Sequence, residues 1–169
     1  MTNKTRLTLI ALAIAFGLAG CATPPGTADA TLLHQVDTVM RQASPARSVK
    51  LSLSAEQFKT GESISAQVST DAAGYVYLYQ IETDGRGLSL VFPNAMDGAN
   101  YAAAGTALTL PRPNWRMAAR GPAGVGHMLA VVTQAPLDLV ALQADTRQGK
   151  VVVSPPYGAA MVTLREVAP

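Results

Sequence analysis

Few residues in this 169-residue chain are of types that do covalent or metal chemistry. There is one cysteine, Cys21, and there are two histidines, His34 and His127, far apart in sequence. A lone thiol makes no internal disulfide, and one cysteine with two dispersed histidines does not make a standard structural zinc set, which needs four converging ligands. No Gly-x-Ser-x-Gly elbow occurs, and no serine, histidine and carboxylate fall in a triad-like pattern. Gly121, Gly124 and Gly126 imitate a phosphate loop, yet no Lys-Ser/Thr pair follows and a strand pattern comes next. Asp71, Glu82, Asp84 and Asp97 sit in turn-like segments. They allow a weak cation site if loops bring them together, and are otherwise ordinary turn carboxylates. The expectation is of no catalytic residue, no metal and no cofactor.

Residues suited to recognition are easier to find. The stretch PRPNWRMAAR places Arg112, Trp115, Arg116 and Arg120 in a proline-broken segment, and Trp and Arg are the types most enriched at binding hot spots. These four are the candidate partner contact; the alternative is a long loop that folds Trp115 back over a core. Tyr75, Tyr77 and Tyr79 alternate, so in a strand they share one face, with Ile81 continuing it. That face either stacks a sugar or peptide or belongs to the core with its hydroxyls at the rim.

These residues need elements to position them, and the first segment is no part of a fold. MTNKTR carries Lys4 and Arg6 without an acid, and Leu7 to Gly20 is 14 residues without a charge. Basic residues, a short apolar stretch and small residues at its end describe a secretory signal, too short for the roughly 20 residues of a spanning helix. Leu18-Ala19-Gly20-Cys21 resembles the lipobox of bacterial lipoproteins. The resemblance implies cleavage between Gly20 and Cys21 and acylation of Cys21, a covalent lipid that anchors the chain to a membrane. Two or three acyl chains hold firmly where one binds marginally. Ala22, in place of an aspartate after the cysteine, implies by the same resemblance an outer-membrane lipoprotein facing the periplasm in a Gram-negative cell. Residues 21–30, CATPPGTADA, then form a tether of at most about 35 Å.

Composition narrows the function classes. The chain has 13 basic and 11 acidic residues; without residues 1–20, which contain Lys4 and Arg6, 149 residues remain with 11 of each. A formally neutral chain without a charge run does not fit a nucleic-acid binder. With 49% apolar and 14% charged residues, disorder is excluded as well.

From residue 31 the patterns alternate between elements. Leu32, Leu33, Val36, Val39, Met40 and Ala43 recur at helical spacing, so residues 31–47 read as an amphipathic helix and linker. Its apolar face either packs on the domain or meets a partner. Residues 48–169 read as one β-sandwich domain. Strands are expected at Val49–Leu53, Glu62–Thr70, Gly74–Glu82, Leu88–Phe92, Thr106–Pro111, His127–Gln134, Val151–Val153 and Ala159–Val167. Asp84-Gly85 makes a hairpin of the third and fourth. His127–Gln134 is apolar on both faces and therefore central. Asp138–Gln148 holds one or two helical turns. Seven to eight short strands with Gly/Pro turns predict a mainly β, immunoglobulin-like sandwich architecture, without the cysteine pair of true immunoglobulin domains.

The order Gly61-Glu62, Gly74-Tyr75-Val76-Tyr77-Leu78, Asp84-Gly85, Phe92-Pro93-Asn94, Leu110-Pro111 and Gly121-Pro122-Ala123-Gly124 resembles one bacterial domain of unknown function. It occurs in exported lipoproteins and beside peptidases and kinases of envelope or signalling systems, and the resemblance spans about Val49 to Pro136. It brings no established catalytic residue. The expectation is a non-enzymatic, lipid-anchored envelope protein that binds or scaffolds another envelope protein, such as an accessory lipoprotein of a secretion or envelope-spanning machine. The alternative is a glycan- or peptidoglycan-binding lipoprotein using its Tyr and Trp surfaces. A hydrolase is disfavoured.

Overall fold

The computed structural model describes residues 30–169; the expectations for Gly20, Cys21 and most of the tether lie outside the described residues. The described residues are mainly β, with nine strands in two sheets and two helices. In order these are α1 (Ala30–Gln42), β1 (Val49–Leu53), β2 (Gln57–Lys59), β3 (Ala66–Thr70), β4 (Gly74–Ile81), β5 (Leu88–Phe92), β6 (Tyr101–Ala102), β7 (Ala107–Leu110), β8 (Gly124–Thr133), α2 (Leu139–Arg147) and β9 (Tyr157–Val167).

One sheet runs β1-β3-β7, and the other runs β2-β9-β8-β4-β5 with β6 also on β4. All ladders are antiparallel except β2–β9, which is parallel. The larger sheet therefore buries both faces. Val76, Leu78, Met128, Ala130, Val132 and Leu164 point at the smaller sheet and meet Ala66, Val68 and Leu110 there. Tyr77, Tyr79, Leu129, Val131 and Tyr157 point the other way, where Leu32, Val36 and Val39 of α1 and Leu142 of α2 cover them. The sandwich is thus backed by a helical third layer. Strand β8, between β4 and β9, is central, as a strand apolar on both faces must be.

Local chemistry explains most boundaries. Gly85, at φ +69°, turns the β4–β5 hairpin, and the Asp84 carboxylate accepts the Arg86 and Gly87 N–H groups at 2.9 and 3.3 Å. Asp138 caps α2 by accepting the Val140 N–H at 2.9 Å and the Ala141 N–H at 3.3 Å. Tyr157, fully buried, donates its hydroxyl to the Val39 carbonyl at 2.9 Å and so ties α1 to the sheet. Tyr157→Phe should cost about 1–2 kcal/mol, since it leaves a buried carbonyl without its donor. Equilibrium urea unfolding measures that loss, and an unchanged midpoint would show that the bond adds nothing.

Three expectations need correction. Val151–Val153 joins no ladder; Val151 and Val153 instead turn their side chains into the helix-side core, so the run is extended without being a strand. Glu62–Thr70 is strand only from Ala66, because the Glu62, Ile64 and Gly61 backbone groups bond to Met117 and Ala119. The proline-broken segment after residue 111, expected to lie outside the strands, thereby supplies a short pairing of its own through Ser63 and Ala118. Strand β2 escapes a periodicity reading, since Phe58 is its single apolar residue and its partner lies over 100 residues away.

Candidate functional site

The segment that follows β7 folds back across the end of the sandwich and is held by one carboxylate. Asp97, 6% exposed, accepts the Arg112 guanidinium at 2.5 Å on one oxygen and the Trp115 indole N–H at 3.0 Å on the other. Asn94 aims this loop: its side-chain oxygen accepts the Met96 and Asp97 N–H groups at 2.9 and 3.0 Å. Trp115 stacks on Phe92 with 6.4 Å between ring centroids and 2° between planes. Arg112 lies 5.6 Å from the same ring centroid and also donates to the Ala99 carbonyl at 2.7 Å. Arg112 and Trp115 are therefore a clamp that fixes the segment.

Arg116 and Arg120 face outward. Arg116 is exposed and braces the neighbouring turn, donating to Ser63 Oγ at 3.0 Å and to the Gly61 carbonyl at 2.9 Å. Both acceptors are neutral, so its charge is not cancelled. Arg120 is exposed and makes no hydrogen bond or ion pair among the described residues.

Between this segment and the edge of the larger sheet lies a groove of about 390 Å³. Gln80, Ser89 and Val91 form one wall; Met96, Trp115, Arg116 and Arg120 line the other. Glu82 is the one carboxylate along it, and Met96 is 64% exposed at its rim. Three of the four predicted contact residues are brought to this groove, and Arg112 stands behind it. Sequence reasoning missed Met96 and the β5 wall, because nothing local says that β5 ends a sheet.

The tyrosine face is interior. Tyr77 and Tyr79 are each 1% exposed beneath the helical layer, where a sugar has no access, because the helices cover the face they share. Tyr77 uses its oxygen to accept the Leu137 N–H at 2.7 Å. Burial, with Tyr77 and Asp145 adding smaller contributions, pushes the Tyr79 phenol far up, so it stays neutral. Tyr75 alone approaches the surface, edge-on to Tyr101 at 5.4 Å.

The remaining chemistry-bearing residues stay apart. Asp71 accepts the Ser48 N–H at 2.8 Å, Asp84 serves its turn, and Asp97 serves Arg112, so the four carboxylates do not converge. Among the described residues no three His, Cys, Asp or Glu side chains gather as metal ligands do. His127 sits beside Thr163, 3.2 Å from its hydroxyl, and burial lowers its pKa from 6.5. The unfolded chain then takes up this proton first as pH falls. Stability should decline through about pH 6.5 and level off once the folded imidazole is also protonated. Urea midpoints at pH 7.5 and 5.5 check this, and His127→Gln should flatten the difference; an equal drop in the variant would assign it elsewhere.

A second, larger groove of about 680 Å³ runs between β1 and the outer edge of β9. Leu51, Leu53 and Val162 line it together with Glu56 and Arg165, and none of the predicted contact residues reaches it.

Fold and groove together define a β-sandwich module with a groove at one sheet edge. A family model described as Domain of unknown function (DUF4384) matches residues 57–136. That stretch takes in β2 to β8 and both walls of the arginine groove, and leaves out β1, β9 and both helices. Among solved structures, the sporulation control protein Spo0M from Bacillus subtilis is similar at 12% identity and a TM-score of 0.39, covering 71% of this chain. The chain spans about half, 49%, of that structure's chain. No curated protein matches this sequence.

Proposed function

We propose that this chain is a non-enzymatic, lipid-anchored envelope protein that binds another protein of the envelope through the arginine groove. The supporting observation is Arg120, an exposed guanidinium without a partner among the described residues, beside a Trp115 held rigid by Asp97 and Phe92. A preorganised aromatic next to an uncommitted cation suits recognition, because little side-chain freedom is lost on binding. The anchor on Cys21 rests on the lipobox resemblance and would hold the groove within a tether's length of a membrane. An accessory role in a secretion or envelope-spanning machine is the concrete form of this reading. The glycan reading keeps Trp115, but it loses Tyr77 and Tyr79 to the interior.

A photo-crosslinking residue at position 120 in growing cells tests the reading. It should yield a protein adduct of defined mass; adducts to peptidoglycan alone would favour the glycan binder, and none at all would sink the groove. In parallel, Cys21→Ser should abolish labelling by a fatty-acid probe, and unchanged labelling would refute the anchor.

A further inference from the structure

Strand β5 is the last strand of the larger sheet, and among the described residues no strand pairs with its outer side. Antiparallel ladders alternate between pairs that exchange hydrogen bonds and pairs that do not. The Glu82 N–H bonds the Gly87 carbonyl at 2.9 Å, which makes Gln80–Ser89 the next bonded pair and turns the N–H and C=O of Leu88 and Leu90 outward. A register shift follows between Leu78 and Tyr79, and the Asn94 side chain occupies the Val91 carbonyl at 3.0 Å. Leu88 and Leu90 therefore present a short row of unpaired backbone groups, the feature to which an extended peptide adds as a strand.

This edge lies between two grooves. On the side facing the smaller sheet is the arginine groove, with Arg116 and Arg120 uncancelled against the single carboxylate of Glu82. On the helix side a groove of about 300 Å³ is bordered by Leu88, Leu90, Thr146 and Arg147. Residues of an added strand alternate between these sides. Two arginines against one carboxylate on one side, and two leucines beside Arg147 on the other, select a segment that is acidic on the first face and carries apolar residues on the second.

We propose that β5 takes up an extended, acidic segment of a partner protein as an added strand, its carboxylates toward Arg116 and Arg120 and its apolar residues over Leu88 and Leu90. This rests on the arginine groove being a protein-binding surface. A second copy of this chain fits less well, because its own β5, LSLVF, carries no acid.

The test uses the full-length protein and two synthetic pentapeptide amides, acetyl-Glu-Val-Glu-Val-Glu and acetyl-Lys-Val-Lys-Val-Lys. Amide exchange and chemical-shift titration by NMR are the readouts. The acidic peptide should slow exchange of the Leu88 and Leu90 amides at least tenfold and bind at least tenfold more tightly than the basic one. Arg120→Glu should reverse that preference. Leu90→Pro, which removes an outward N–H that the β4–β5 ladder does not use, should abolish protection while the spectrum stays folded. Equal binding of both peptides, or shifts that map away from β5, would overturn the proposal. So would protection that grows with protein concentration alone, which would mean self-pairing. A protein adduct at position 120 without peptide protection at Leu90 would remove strand addition and leave the protein-binding reading standing; absence of both removes both.

Discussion

Asp97→Ala should destabilise the protein by about 2–4 kcal/mol and shift the emission of its one tryptophan to the red. A buried carboxylate that serves two donors leaves both without an acceptor when it is removed, and the unpaired Arg112 charge adds to the cost. Arg112 is itself about one-third exposed, so water recovers part of that charge and keeps the figure below the upper range for fully buried pairs. The groove should suffer more than the sandwich. Trp115 keeps its Phe92 stack only while residues 112–116 stay down, and the emission shift reports their release. Replacing the cation as well, in Asp97→Ala with Arg112→Met, should recover about 1 kcal/mol or more by removing the orphaned charge. If Asp97→Ala unfolds at the parent's midpoint with unshifted fluorescence, the clamp is not what holds the segment.

Gly158→Val should be strongly destabilising, at about 3 kcal/mol. A Cβ at this position falls on the Arg47 backbone oxygen and lies 2.7 Å from Val49 Cγ2. A flexible side chain yields to such an intrusion, whereas a carbonyl on the neighbouring segment does not, and β1 must move as a unit. For a domain of this size the melting temperature should fall by about 10 °C. Gly98→Ala is the matched control: nothing lies within 4 Å of its Cβ and its φ is not positive, so its melting temperature should stay within about 2 °C. A mild effect at Gly158 would mean that the smaller sheet is looser than its packing implies.

Legibility followed the range of the physics. The β4–β5 hairpin was readable because everything that makes it is local: alternation in GYVYLYQI, Asp84-Gly85 in the turn, alternation again in LSLVF. The central position of β8 followed from its two apolar faces. By contrast, no local signal says that the tyrosines face helices rather than solvent. Tyr77 is covered by α1 residues about 40 positions away on one side and bonded to Leu137, 60 positions away, on the other. The arginine segment was found by residue type, yet the division of labour within it was hidden. Asp97 looked like a turn carboxylate, and only its position opposite Arg112 and Trp115 separates the two clamping residues from the two outward ones. The groove's other wall depends on strand order, which alternation does not encode.

The parallel pairing of β2 with β9 has a consequence for how the chain comes into being. Thr60 and its hydrogen-bond partner Val167 are 107 positions apart, and Phe58 beside them is 1% exposed once the ladder closes. A chain that emerges amino end first must carry Phe58 uncovered through the appearance of six further strands and α2. Closing so long a loop is slow and comes late. Until β9 arrives, β8 also lacks one of its two neighbours and α1 lacks the Tyr157 hydroxyl. The fold therefore has no stable half, and a chaperone has its longest opportunity to hold this protein open just before its final strand is delivered.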